Sequence, residues 1–276
     1  MGRDRGAQVS KLLALAALAL LLGSCDLVPQ RTITACADPN NLPFSNKARE
    51  GFENKLAQMI ASDLHAKLDY VWWAQRRGYV RNTLNERKCD FWPGIGSNVE
   101  MVATTRPYYR SSYMFVSRAS ENLKGLTLDD PRLRRLKIGV QMVGNDATNT
   151  PPAHALASRG IIANVHGYML YGDYSKPNPP AEIVRAVERG DVDVALVWGP
   201  LAGYFAAQSP LPLRLEPVTP WMADMEYPMQ FDISVGVQNG NDALLKKIDG
   251  ILARRAPEIK RLLNAYHVPL VGTSAQ

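Results

Sequence analysis

The side chains able to do chemistry in this 276-residue sequence are few, and their spacing argues against most enzymatic uses. Four histidines, His65, His154, His166 and His267, are scattered and show no metal-ligand spacing. No Gly-x-Ser-x-Gly elbow is present to raise a nucleophilic serine. Gly94-Ile95-Gly96 lacks the further glycine or lysine that a phosphate-cradling loop requires. Asp38-Pro39-Asn40-Asn41 gathers oxygen donors but lacks the glycine and terminal glutamate of a calcium loop. Its other use is an Asx turn that closes a strand. Glu100 and Asp146 are acid/base candidates without a partner at a useful spacing. No catalytic set, metal site or cofactor motif emerges.

The three cysteines divide by position. A positive stretch (Arg3, Arg5 and Lys11, against Asp4) precedes an apolar run over residues 12–22. Eleven residues rising 1.5 Å each cover only ~17 Å, against about 30 Å of bilayer hydrocarbon. The length and flanks are those of a secretory signal, so residues 1–25 are expected to form the export leader. Leu22-Gly23-Ser24-Cys25 resembles a bacterial lipobox, which would make Cys25 a lipidated first residue and the membrane a partner only through that anchor. The alternative is an ordinary signal cut a few residues later. Cys36 and Cys89 then remain as one pair in an oxidising compartment, expected to be bridged.

Around these residues, short apolar runs alternate with helical periods, the pattern of an α/β protein with parallel sheets. Residues 32–36 read as a strand. Phe52, Leu56, Met59, Ile60 and Leu64 fall on one face of a helix. A strand over 68–73, a helix over 78–87 and a short strand over 90–92, ended by Pro93-Gly94, follow. The second unit has strands over 136–141 and 192–198 and a helix opened by Thr150-Pro151-Pro152. Another helix begins at Pro179-Pro180 and is closed by Gly190. Residues 231–237 alternate like a strand, Asn241 is expected to cap a helix, and Pro257 to restart it. Residues 171–180 read as a surface loop, and Tyr168, Tyr171 and Tyr174 make it a candidate contact surface.

Ligands of open parallel sheets sit beyond the carboxyl ends of the strands. That rule gathers Phe44, Trp73 and Trp198 as flat apolar surfaces and Arg76 and Arg77 as cations, a mixture suited to a planar anionic ligand or a protein segment. The formal net charge of +6 is spread along the chain rather than gathered in a stripe, so nucleic acid is not an expected partner.

Thr105-Arg-Pro-Tyr-Tyr-Arg-Ser-Ser-Tyr-Met-Phe-Val116 resembles the pre-crossover segment of amino-acid-type solute-binding proteins. A closer set of blocks runs from about residue 31 to 271. It includes Cys36-Ala-Asp-Pro-Asn-Asn-Leu-Pro-Phe-Ser-Asn46, Gly51-Phe-Glu-Asn54, Trp73-Ala-Gln-Arg-Arg-Gly78, Lys176-Pro-Asn-Pro-Pro180 and Trp198-Gly-Pro-Leu-Ala-Gly-Tyr-Phe205. These resemble the MxaJ/XoxJ-type, binding-protein-like accessory proteins of quinoprotein methanol dehydrogenase systems. The resemblance implies a type II periplasmic binding protein fold of two Rossmann-like lobes and two crossovers. Lobe I would comprise 26–117 and 218–276, and lobe II 118–217.

It also implies a periplasmic, non-enzymatic protein that assists a methanol dehydrogenase carrying pyrroloquinoline quinone (PQQ), with that enzyme's cytochrome c as a second candidate partner and a small molecule as a candidate ligand. The implied ligand or partner cleft comprises Pro43, Phe44, Trp73, Arg76, Arg77, Asn98, Tyr108 and Trp198. Two departures matter. Amino-acid receptors place a carboxylate-binding arginine where the spacing here gives Asn98, and an amine-binding aspartate where Trp198 stands. A free amino acid is therefore a poor ligand. Phe91-Trp-Pro-Gly-Ile-Gly-Ser97 also departs from the nearer relatives.

Overall fold

In the computed structural model, which describes residues 31–143, 149–223 and 227–272, the first half is built on three parallel strands. They are β1 (Thr32–Ala37), β2 (Lys67–Trp72) and β3 (Phe91–Gly96), in the order β2-β1-β3. Between β1 and β2 lies α1 (Phe52–Asp63), whose Phe52, Leu56, Ala57 and Ile60 are buried. Its first turn is fixed by Asn54, whose Oδ1 accepts from the Gly51 and Asn46 amides. The next helix, α2 (Tyr79–Asn82), is a single turn, shorter than the expected 78–87. The Thr83 hydroxyl donates back to the Tyr79 carbonyl, the Thr83 backbone leaves the helical region, and residues beyond it continue as turns.

The strand β4 (Tyr109–Arg118) runs through both halves. Tyr109 to Ser112 pair antiparallel with Gln230 to Ile233 of β9 (Gln230–Val237), which in turn pairs with β3. From Tyr113 onward β4 pairs instead with strands of the second half. Those strands are β5 (Ile138–Met142), β6 (Val165–Met169), β7 (Val194–Trp198) and β8 (Leu213–Pro217). β6-β5-β7 is parallel, and β4 adds antiparallel to β7 and β8. The forward crossing therefore falls at Ser112–Tyr113 and the return between Pro217 and Gln230. Helices α3 (Pro151–Ser158), α4 (Glu182–Arg189) and α5 (Gly199–Gln208) cover the second half, and α6 (Asp242–Ala265) packs with α1 on the first.

Several local expectations change. β3 does not stop at Pro93-Gly94 but continues to Gly96. The β9 register shifts between Ser234 and Gly236, opposite this point, so the missing proline N–H falls at a bulge where no ladder bond needs it. Pro257 does not restart α6: the helix runs through it, because Leu244, Ile248, Ile251, Leu252, Ile259 and Leu263 form one buried stripe. Asn241 precedes α6 without a side-chain cap bond. β6 and α5 were not anticipated. β6 lies at an edge of the sheet and is largely exposed, so it carries no apolar alternation.

Cys36 and Cys89 form a disulfide with their Cα atoms 5.5 Å apart. Backbone pairing brings them together: the Asp90 amide donates to the Thr34 carbonyl and the Thr34 amide to the Asp90 carboxylate. No helix among the described residues is long and apolar enough to cross a membrane.

Candidate functional site

The carboxyl ends of the strands from both halves converge on a cavity of about 200 Å³. The first half supplies Asp38 and Phe44 after β1, Glu53 from α1, Gln75 after β2, Gly94 of β3 and Tyr109 of β4. The second half supplies Gln141 of β5, Trp198 of β7, and Leu170, Tyr171 and Tyr174 from the segment after β6. Trp198 ends β7 just before α5, and its ring is held edge-on by Tyr113 and Phe231, at centroid distances of 5.3 and 5.8 Å.

Asp38 is fully buried and organises the mouth of the cavity. One carboxylate oxygen accepts from the Asn40 amide at 2.8 Å, the Asx turn that the sequence offered. The other accepts from the Gln75 amide at 2.7 Å and from the Tyr174 hydroxyl at 2.5 Å. Asn40 then takes hold of the same segment, donating to the Lys176 carbonyl and accepting from the Asn178 amide. The Arg76 guanidinium lies 4.9 Å from the Tyr174 ring centroid. Residues 171–180 are thus a latch between the halves. Burial, and then the bond to Asp38, push the Tyr174 hydroxyl up from its ordinary value.

Glu53 differs from Asp38. It is 4% exposed, and its carboxyl makes no hydrogen bond among the described residues. Burial, with a smaller contribution from the Asp38 charge, pushes it from 4.5 up to about 8. Its carboxyl lies against the backbone of Gly94, where an added Cβ would sit 1.9 Å from Oε1. Among the described residues, neither lysine, arginine nor histidine lines the cavity. No group of three or more metal-ligating side chains occurs among the described residues.

Of the cleft residues expected from sequence, Phe44 and Trp198 line the cavity, and so do Asp38 and, from the loop read as a contact surface, Tyr171 and Tyr174. Arg76 and Arg77 do not; they line a neighbouring groove with Arg81, Trp92, Val99 and Met101. Trp73 is exposed, with the Lys88 ammonium 5.1 Å from its ring centroid. Pro43 is buried beside Phe44, its carbonyl accepting from the Phe52 amide. Tyr108 packs on Tyr109, and its hydroxyl is buried away from the cavity lining. Asn98 is exposed in a left-handed turn, its amide donating to Thr104. Glu100 is also exposed; Asp146 and Cys25 lie outside the described residues.

Among the described residues the cavity is therefore acidic and aromatic, and Arg76 and Arg77, read from sequence as cations for a planar anion or a protein segment, line the groove beside it. Gln75 and Gln141 fall in strand-end segments that the carboxyl-end rule covers, whereas Glu53 and Tyr109 lie outside them. Glu53 had left a signal, since it shares a helical stripe with Leu56, Ala57 and Ile60, a buried carboxyl in an apolar row.

No family model matches the chain. It is 30% identical over 255 residues to protein MoxJ of Methylorubrum extorquens, covering 88% of this chain and 83% of that one. It is also 30% identical over 274 residues to protein MoxJ of Paracoccus denitrificans, covering 94% and 96%. The chain belongs to the MoxJ family. Among solved structures, the periplasmic binding protein XoxJ from Methylobacterium extorquens AM1 matches this MoxJ-family chain with a TM-score of 0.71 and 35% identity, over 87% of this chain and all of that one. MxaJ from Methylophaga aminisulfidivorans matches at 0.72 and 25%, again over 87% and 100%. An ancestral cationic amino-acid solute-binding protein, 17% identical with a TM-score of 0.65 over 86% of this chain and 95% of that one, shares the fold alone. The fold of this MoxJ-family member is that of the type II periplasmic binding proteins.

Proposed function

We propose that this MoxJ-family protein is a periplasmic accessory protein that binds a PQQ-dependent methanol dehydrogenase and assists its assembly or activation. It acts by binding, not catalysis. On this reading the leader within residues 1–25 directs export, Cys25 supplies a lipid anchor, and the two lobes, exchanging at Ser112–Tyr113 of β4, meet at the latch. The observation that carries the proposal is a receptor build without the amino-acid clamps. Trp198, which the resemblance aligns with the amine-binding aspartate of amino-acid receptors, lines the cavity, and Asn98 stands exposed, away from it.

The groove of Arg76, Arg77, Arg81, Trp92 and Met101 beside the latch is the face offered to the dehydrogenase. Its mixture of guanidinium and apolar surface suits an acidic segment with apolar side chains. The dehydrogenase's cytochrome c is the second candidate for this face. The test is cofactor loading: apo-dehydrogenase supplied with PQQ and metal should regain activity faster with this protein than with an equal amount of albumin. Identical rates would sink the proposal.

A second reading, a receptor delivering a solute to an importer, is favoured by one observation, the cavity closed between the two halves by the latch. It requires a ligand whose binding raises the melting temperature. Flat melting curves across a broad solute panel would remove it.

A further inference from the structure

We infer that the chamber between the halves takes a small organic cation, an ammonium group on a flat apolar body, with Glu53 as its counter-charge. This rests on reading the cavity as a ligand chamber and is independent of which protein the molecule serves. A buried carboxyl is ordinarily paired or hydrogen-bonded. Glu53 is 4% exposed, lines the cavity and has no hydrogen-bond partner among the described residues. Gly94 lets its carboxyl approach the backbone of β3, where a Cβ would collide with Oε1.

Around Glu53 stand Asp38 beyond β1, Tyr79 of α2, and Tyr108 and Tyr109 at the start of β4. None of these is a cation. The Asp38 carboxylate is already occupied by three donors, so it adds negative field without competing for the ligand. Among the other lining residues Phe44, Tyr109, Tyr171 and Trp198 are aromatic, and aromatic rings attract cations, while Gln75 and Gln141 add neutral amides. A cavity of about 200 Å³ is somewhat larger than the ~150 Å³ space that holds benzene, so one ring bearing a short amine fits. An ammonium docking here favours the ionised form of Glu53, so near neutral pH the carboxyl gives its proton to buffer as the ligand binds.

Three molecules of one shape separate the charge classes: benzylammonium, benzyl alcohol and benzoate, titrated calorimetrically into the full-length protein at pH 7 in two buffers of different ionisation heat. Benzylammonium is expected to bind with release of up to one proton, benzyl alcohol at least about tenfold more weakly, and benzoate not at all. Glu53→Gln should weaken benzylammonium about tenfold or more, abolish the proton release and leave benzyl alcohol within about twofold. Benzoate or benzyl alcohol binding as tightly as benzylammonium would overturn the inference while leaving a ligand chamber. Binding of none of the three at millimolar concentration would overturn both. The wild-type series stands by itself if the variant fails to fold.

Discussion

Glu53 and Gly94 meet at the point where the cavity, the first helix and the sheet converge, and each constrains the other. The folded-state value of Glu53, about 8, exceeds its ordinary 4.5, so the native state holds this proton more tightly than the unfolded chain. The stability this contributes is complete below about 4.5 and is lost as pH rises through about 8, an effect on the order of a few kcal/mol. Relative to wild type, Glu53→Gln should therefore gain stability between pH 5 and pH 9, read as a difference of several degrees in melting temperature; a constant gap would contradict this. Gly94→Ala drives a methyl into Oε1, and melting should show a loss of about 1–3 kcal/mol. What could be read in sequence at this scale was the aromatic half of the site, Phe44 and Trp198, because large flat residues after strand ends point to a cleft. Arg76 and Arg77 follow β2 just as closely but turn toward the next groove, a direction that spacing does not encode.

At the scale of elements, strands and helices buried on one side announced themselves through their period, and the departures have local causes. α2 ended early because a threonine hydroxyl bonded back into it, and β6, an edge strand, had no buried face to reveal it. The disulfide was legible from cysteine arithmetic and is present between Cys36 and Cys89, 53 residues apart in sequence. Replacing both cysteines by serine should cost roughly 2–4 kcal/mol in denaturant unfolding; an unchanged midpoint would mean that hydrogen bonding between Asp90 and β1 already suffices. Gly203 of α5 packs so closely on the C-terminal segment that a Cβ would lie 1.9 Å from the His267 carbonyl oxygen. Gly203→Ala should lift that segment and speed hydrogen exchange at Val268, whose amide is bonded to Leu263.

The molecule as a whole joins two α/β halves through a shared strand and a side-chain latch. The double variant Tyr174→Phe, Asn40→Ala removes the hydroxyl held by Asp38 and both bonds from Asn40 to the latch. It should shift the halves apart, seen as a larger radius of gyration in solution scattering; an unchanged radius would assign closure to the other contacts. The family could be recognised from blocks of sequence, and residues 171–180 as a contact surface, whereas the partners of that segment, Asp38 and Asn40, could not, since they lie more than 130 residues away in the chain. The central claim is association with the dehydrogenase, and the most direct test is equilibrium binding of the purified protein to PQQ-dependent methanol dehydrogenase on a biosensor surface. Saturable binding that weakens with salt and is lost in the double variant Arg76→Glu, Arg81→Glu is the expected result. No binding at micromolar concentration, or binding indifferent to both charge reversals, would contradict it.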